Sequence, residues 1–132
     1  MHESILFIDD DELVLSVMKR QFKNSFFLTV AYSAYEAMSL LQGGGQHFEV
    51  VVSDVTMPGL NGLDFIELMA PRHPKTSFVV LTGNCDGETH NRAVAIPGVV
   101  KVLTKPAKKD EILNAIDEAL ARNAGSQTVT SQ

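Results

Sequence analysis

The feature that most constrains this chain is a repeating alternation. Five short apolar runs, Ser4–Ile8, Phe27–Ala31, Glu49–Ser53, Ser77–Leu81 and Val99–Leu103, are separated by segments of helical spacing. Most of the runs are continuously apolar, as in Val50-Val51-Val52. That suits strands covered on both faces, as in a parallel sheet. Between them Ala34, Ala37, Met38 and Leu41 fall at i, i+3, i+4 and i+7, and Ile112, Ala115, Ile116, Ala119 and Leu120 repeat that stripe. Leu13, Val14, Val17, Met18 and Phe22 predict a broader one, and Leu63, Ile66 and Ala70 mark a segment between Gly62 and Ala70. The polar stretch Asp86–Ala95 is the weakest helix, with Asp86 as its N-cap. Strand–helix alternation carried through five times implies right-handed crossovers and a three-layer α/β sandwich.

Composition narrows the function classes. A chain of 132 residues is one domain with enough length to bury a core. A net charge of -5 argues against a dedicated DNA-binding surface. Cys85 is the only cysteine, so no intrachain disulfide forms and a reducing cytosol is the natural setting. The apolar runs fall far short of the ~20 residues that span a bilayer, and the opening residues do not resemble a signal peptide. The expectation is a soluble, cytoplasmic protein. Gly43-Gly44-Gly45 follows a helix and precedes no Lys-Ser or Lys-Thr, so it is a loop and not a phosphate cradle. Residues 1–123 are expected to form the domain. Residues 124–132, small and polar, are expected to be a disordered tail or the start of a linker.

In open α/β sheets, working groups gather at the carboxyl ends of the strands, beside the topological switch point. Just past the first run come Asp9, Asp10 and Asp11; past the third, Asp54; past the fourth, Thr82; past the fifth, Thr104-Lys105-Pro106. Segments far apart in sequence thus deliver carboxylates, a hydroxyl and an ammonium to one edge. Clustered carboxylates repel and raise one another's pKa unless a cation compensates. An all-oxygen site with room for water suits Mg²⁺. A carboxylate there can attack phosphorus to form an acyl phosphate, and the transferring group wants a cation and hydrogen-bond donors around its oxygens.

The segments ILFIDDD, VVVSDVTMPGLNG, VVLTG and VLTKP, in that order and spacing, resemble the receiver domain of two-component response regulators, over about Ser4 to Arg122. The resemblance implies a flavodoxin-like (βα)5 fold with strand order 2-1-3-4-5. It makes Asp54 the phosphoacceptor, loaded by a histidine kinase or a histidine phosphotransfer protein. Asp10, Asp54 and the backbone carbonyl of Thr56 would bind Mg²⁺ directly, and Asp9 mainly through a water. Lys105 would pair with a phosphoryl oxygen, and Thr82 would turn its hydroxyl toward it. Lys105-Pro106 matches the family's Lys-Pro, commonly a cis peptide. The chain would then be a signalling phosphoacceptor that catalyses only its own phosphorylation and slow dephosphorylation. Its partners would be the phosphodonor and an output domain or downstream protein. Homodimerisation on phosphorylation is compatible with the family, whereas direct nucleic-acid or membrane binding by this domain is not expected.

Blander explanations exist for each residue alone. Asp9 and Asp10 could merely open a helix, where acids favour the positive end of the dipole. Asp54 could form a turn before Pro58-Gly59. The constellation outweighs both. Thr82 keeps a respectable alternative as a strand-end hydroxyl, and Asp11 is read as helix-opening charge. His47, His73 and His90 are read as surface residues. Three departures from the family stand out. Val102 occupies a position where many receivers carry Tyr or Phe. Thr56 and Asn84, at positions that tune hydrolysis, bring no general base and point to a persistent phosphoryl-aspartate. Ala95-Ile96-Pro97-Gly98 replaces the common Gly-Ala turn. Two rivals remain: an aspartyl-phosphate phosphatase of haloacid-dehalogenase type, disfavoured by Thr56 where that class needs an acid, and an interaction module independent of phosphorylation.

Overall fold

The computed structural model describes residues 3–83 and 86–130; His2, Asn84 and Cys85 lie outside them. The elements alternate throughout: β1 Ser4–Ile8, α1 Glu12–Phe22, β2 Phe27–Ala31, α2 Ala34–Gln42, β3 Val50–Asp54, α3 Gly62–Met69, β4 Ser77–Thr82, α4 Gly87–Ala95, β5 Val99–Thr104 and α5 Lys109–Thr130. A short 3₁₀ turn at Ala70–Arg72 follows α3. All strand pairs are parallel, in the order β2-β1-β3-β4-β5. This is the flavodoxin-like, doubly wound sheet, with its switch point between β1 and β3.

Successive residues of a strand point to opposite faces, and the two faces bury different clusters. Ile5, Phe7, Val50, Val52, Val79 and Leu81 pack against α1 and α5 through Leu15, Met18, Phe22, Ile112 and Ile116. Leu6, Ile8, Val51, Phe78 and Val80 pack against α2, α3 and α4 through Ala37, Leu41, Phe65, Ile66 and Ala93. The central strands β3 and β4 are buried along their whole length, hence their unbroken apolar runs.

Side-chain caps set where the helices begin. Asp11, Ser33, Asn61 and Asp86 each accept a hydrogen bond from a backbone amide in the first turn of α1, α2, α3 and α4. Asp11 is therefore the helix-opening residue expected. The broad α1 stripe is corrected: Leu13 and Val17 face outward, 76% and 41% exposed, while Leu15 joins Met18 and Phe22 in the core. α5 runs on through the polar stretch from Ala124 to Thr130. Propagating an existing helix adds a hydrogen bond for each residue fixed, so the backbone outlasts the apolar stripe that anchors it.

Candidate functional site

Main-chain bonding at the carboxyl edge decides where the polar residues stand. Asp54, Thr82 and Thr104 do not lie past their strands, as the apolar runs suggested, but are the last residues of β3, β4 and β5. The ladder also runs one residue beyond. The Asp9 amide donates to the Ala31 carbonyl (3.2 Å), the Val55 amide to that of Leu81 (3.0 Å), and the Lys105 amide to that of Thr82 (2.8 Å).

The side chains set on this ledge converge. Asp9, Asp10 and Asp54 each offer a carboxylate oxygen, all within 4.8 Å of one another. Asp9 and Asp54 are buried and Asp10 is exposed. Lys105 Nζ lies 2.9 Å from Asp9 Oδ2 and 3.2 Å from Asp54 Oδ2, so one ammonium serves two carboxylates. The other Asp9 oxygen accepts from the Asp11 amide at 3.0 Å. Burial raises the pKa of Asp54; Lys105 pulls it down, and the neighbouring charge of Asp9 raises it further. A hydrogen bond with the Thr56 backbone gives a small opposing effect. Burial alone would lower the pKa of Lys105, but its hydrogen bond to Asp9 and the charges of Asp54 and Asp9 outweigh that and hold it raised. Thr82 is buried at the end of β4, one residue beyond Leu81, the register partner of Asp54. The Lys105–Pro106 peptide is cis.

Two supports of the Asp54 position escaped the sequence. A Cβ on Gly62 would stand 2.0 Å from the Asp54 carbonyl oxygen, so only glycine lets α3 start against the end of β3. The buried hydroxyl of Ser53 donates to that same carbonyl at 3.0 Å. The Asn61-Gly62 pair, a familiar turn signal, was the one available hint. Arg92 was also missed: its Nη2 contacts Asp64 Oδ1 and Glu67 Oε1, each at 2.5 Å, and ties α4 to α3. Of the histidines, His73 has its pKa lowered by burial and then by the nearby charges of His47 and Arg72. Among the described residues, no histidine joins the acidic cluster.

The donor set is all oxygen and hard, with more negative charge than Lys105 cancels, and it fits a small divalent cation. Val102 is partly buried against the cluster on the α2–α4 side. Among the described residues, no helix is long and apolar enough to cross a membrane.

Comparison with known proteins agrees with this geometry. Residues 5–117 match the family model described as response regulator receiver domain. The photosynthetic apparatus regulatory protein RegA of Cereibacter sphaeroides is 36% identical over 114 residues, which cover 86% of this chain and 60% of RegA. The hydrogenase transcriptional regulatory protein HoxA of Cupriavidus necator is 27% identical, with 89% of this chain matching 24% of HoxA. The chain therefore spans only part of the curated relatives it matches. Among solved structures, a chain of adenylate cyclase from Rhodopirellula baltica superposes with a TM-score of 0.90 at 29% identity, covering 99% of this chain and 96% of that one.

Proposed function

The chain belongs to the response regulator receiver domain family, and from that premise we propose that Asp54 accepts a phosphoryl group from the phosphohistidine of a histidine kinase or histidine phosphotransfer protein. The family is one of signalling phosphoacceptors, not of classical enzymes. The observation that carries the assignment is the shared ammonium: Lys105 touches both Asp9 and Asp54 where Asp10 also converges.

In the transfer, a carboxylate oxygen of Asp54 bonds to phosphorus as the P–N bond of the donor breaks. The released electron pair goes to the imidazole nitrogen, and with the other ring nitrogen protonated the donor leaves as neutral histidine. Lys105 stands where it would neutralise a phosphoryl oxygen, and Thr82 would donate its hydroxyl to another. Mg²⁺, held by Asp10, Asp54 and the Thr56 carbonyl, with Asp9 through water, would supply the charge that lets an anionic carboxylate meet an anionic phosphoryl group. The added charge then shifts the domain between two arrangements and changes a binding surface for an output domain or downstream protein. Homodimerisation on phosphorylation is compatible with such a switch. The setting is the cytoplasm, with no direct contact to nucleic acid or membrane by this domain.

Incubation with Mg²⁺ and acetyl phosphate, read by intact mass, is expected to add one phosphoryl group that is absent in Asp54→Ala. No addition would overturn the assignment. The adduct is expected to persist, because Thr56 brings no general base; decay within seconds would contradict that.

A further inference from the structure

The helix next to the site is the one held least by apolar packing. Among the described residues of α4, only Ala93 is buried, whereas α3 buries Gly62, Leu63, Phe65, Ile66 and Met69. Gly83, just past Thr82, and Gly87, the first residue of α4, stand in open space: a Cβ on either meets nothing within 4 Å. The seam between α4 and the end of α3 contains a cavity of about 250 Å³, lined by Glu67, Pro71, Arg92, Ala95, Ile96 and Pro97. Side chains leave that seam underfilled, and charge bridges it. The single Nη2 atom of Arg92 meets both Asp64 and Glu67, two acids one helical turn apart on α3.

The two helices joined this way both grow from the chemistry. α3 starts at Gly62, whose backbone abuts the carbonyl of Asp54. α4 follows β4, which ends at Thr82. A contact formed in one arrangement and strained in the other opposes the change between them, and the coupling is reciprocal.

We propose that Arg92 is a positioning residue: its bridge to Asp64 and Glu67 holds α4, and with it the Thr82 end of β4, in the unphosphorylated arrangement. Breaking the bridge accelerates phosphorylation of Asp54. The proposal rests on Asp54 being the phosphoacceptor. It gives the domain a restraint at the α3–α4 seam, distinct from the β5 position where Val102 stands.

The test compares rates of phosphoryl transfer from acetyl phosphate, with acetate leaving, to the wild-type chain, Arg92→Gln, Arg92→Lys and the double variant Asp64→Asn/Glu67→Gln. Arg92→Gln and the double variant are expected to react about two- to fivefold faster, the range an exposed ion pair can move. Arg92→Lys should fall between them and wild type. Because the bridge is exposed, the variant-to-wild-type ratio should approach one as salt rises from about 0.05 M to about 0.5 M, where screening is short-ranged. A helix that is merely loosened lowers thermal stability without this faster, salt-erased rate. Equal or slower rates in both variants at low salt, with normal mass addition in wild type, would overturn the role of Arg92 alone. No addition in any protein would instead overturn the phosphoacceptor assignment, and the role of Arg92 with it.

Discussion

The two edges of the sheet treat buried polar groups in opposite ways. At the amino edge each has a hydrogen-bond partner. Thr76 donates to the Phe48 carbonyl at 2.7 Å, and Ser77 donates to Asn123 and accepts from Arg122 at 2.8 and 2.7 Å. Asn123 in turn donates to the Glu49 carbonyl at 3.0 Å, which fastens α5 across β3 and β4. At the carboxyl edge three carboxylates converge, and one ammonium serves two of them. One edge is a closed account of donors and acceptors, and the other keeps charge in reserve. Polar groups that are satisfied add order; those held against their repulsion keep chemistry available.

Substitutions can break or sharpen this contrast. The largest effect is expected from Gly62→Ala. Its methyl group would overlap the Asp54 carbonyl, so backbone must move, at a cost of about 3 kcal/mol or more in unfolding free energy. Denaturant titration should show that loss, and mass addition at Asp54 should fall with it; a variant as stable as wild type would show that the close approach is easily relaxed. A smaller and purely structural loss is expected at the other edge. Asn123→Ala removes partners from Ser77 and from the Glu49 carbonyl and should cost about 1–2 kcal/mol. Phosphoryl incorporation should be unchanged; if it drops, the edges are coupled and the contrast fails.

The smallest effect is a pair of opposing pH slopes. The pKa of Asp54 is raised above 3.8, so the folded state binds its proton more readily than the unfolded chain. Its contribution is full below that value and is lost as pH rises through the folded pKa. The pKa of His73 is lowered from 6.5, so its contribution is present above that value and is lost as pH falls through the folded pKa. Stability measured against pH without added metal should therefore lose an acid-favoured component in Asp54→Asn and an acid-disfavoured one in His73→Gln. Slopes of the same sign would break the comparison.

Much of the architecture was legible because burial on two faces leaves a plain signature. Runs such as Val50-Val51-Val52 located β3, and β1 and β2 match their apolar runs at both ends. The carboxyl ends of β3, β4 and β5 were placed one residue short, because the ladder there continues through Asp54, Thr82 and Thr104, whose polarity hid it. The outward Leu13 and Val17 misled for the opposite reason: helical periodicity cannot say which of several apolar stripes meets the sheet. The convergence of Asp9, Asp10, Asp54 and Lys105 could be anticipated from the strand-end rule. Gly62, Ser53 and Arg92 could not, since each matters through a neighbour that only the folded chain brings near.

The bonds that set the ledge are made by peptide groups: Asp9 to Ala31, Val55 to Leu81, Lys105 to Thr82. Any residue other than proline can form them. The polar side chains of Asp9, Thr82 and Lys105 can therefore be exchanged like tools in a fixed rack. A designer could install a different ion preference or reactive group there while the mounting stays in place.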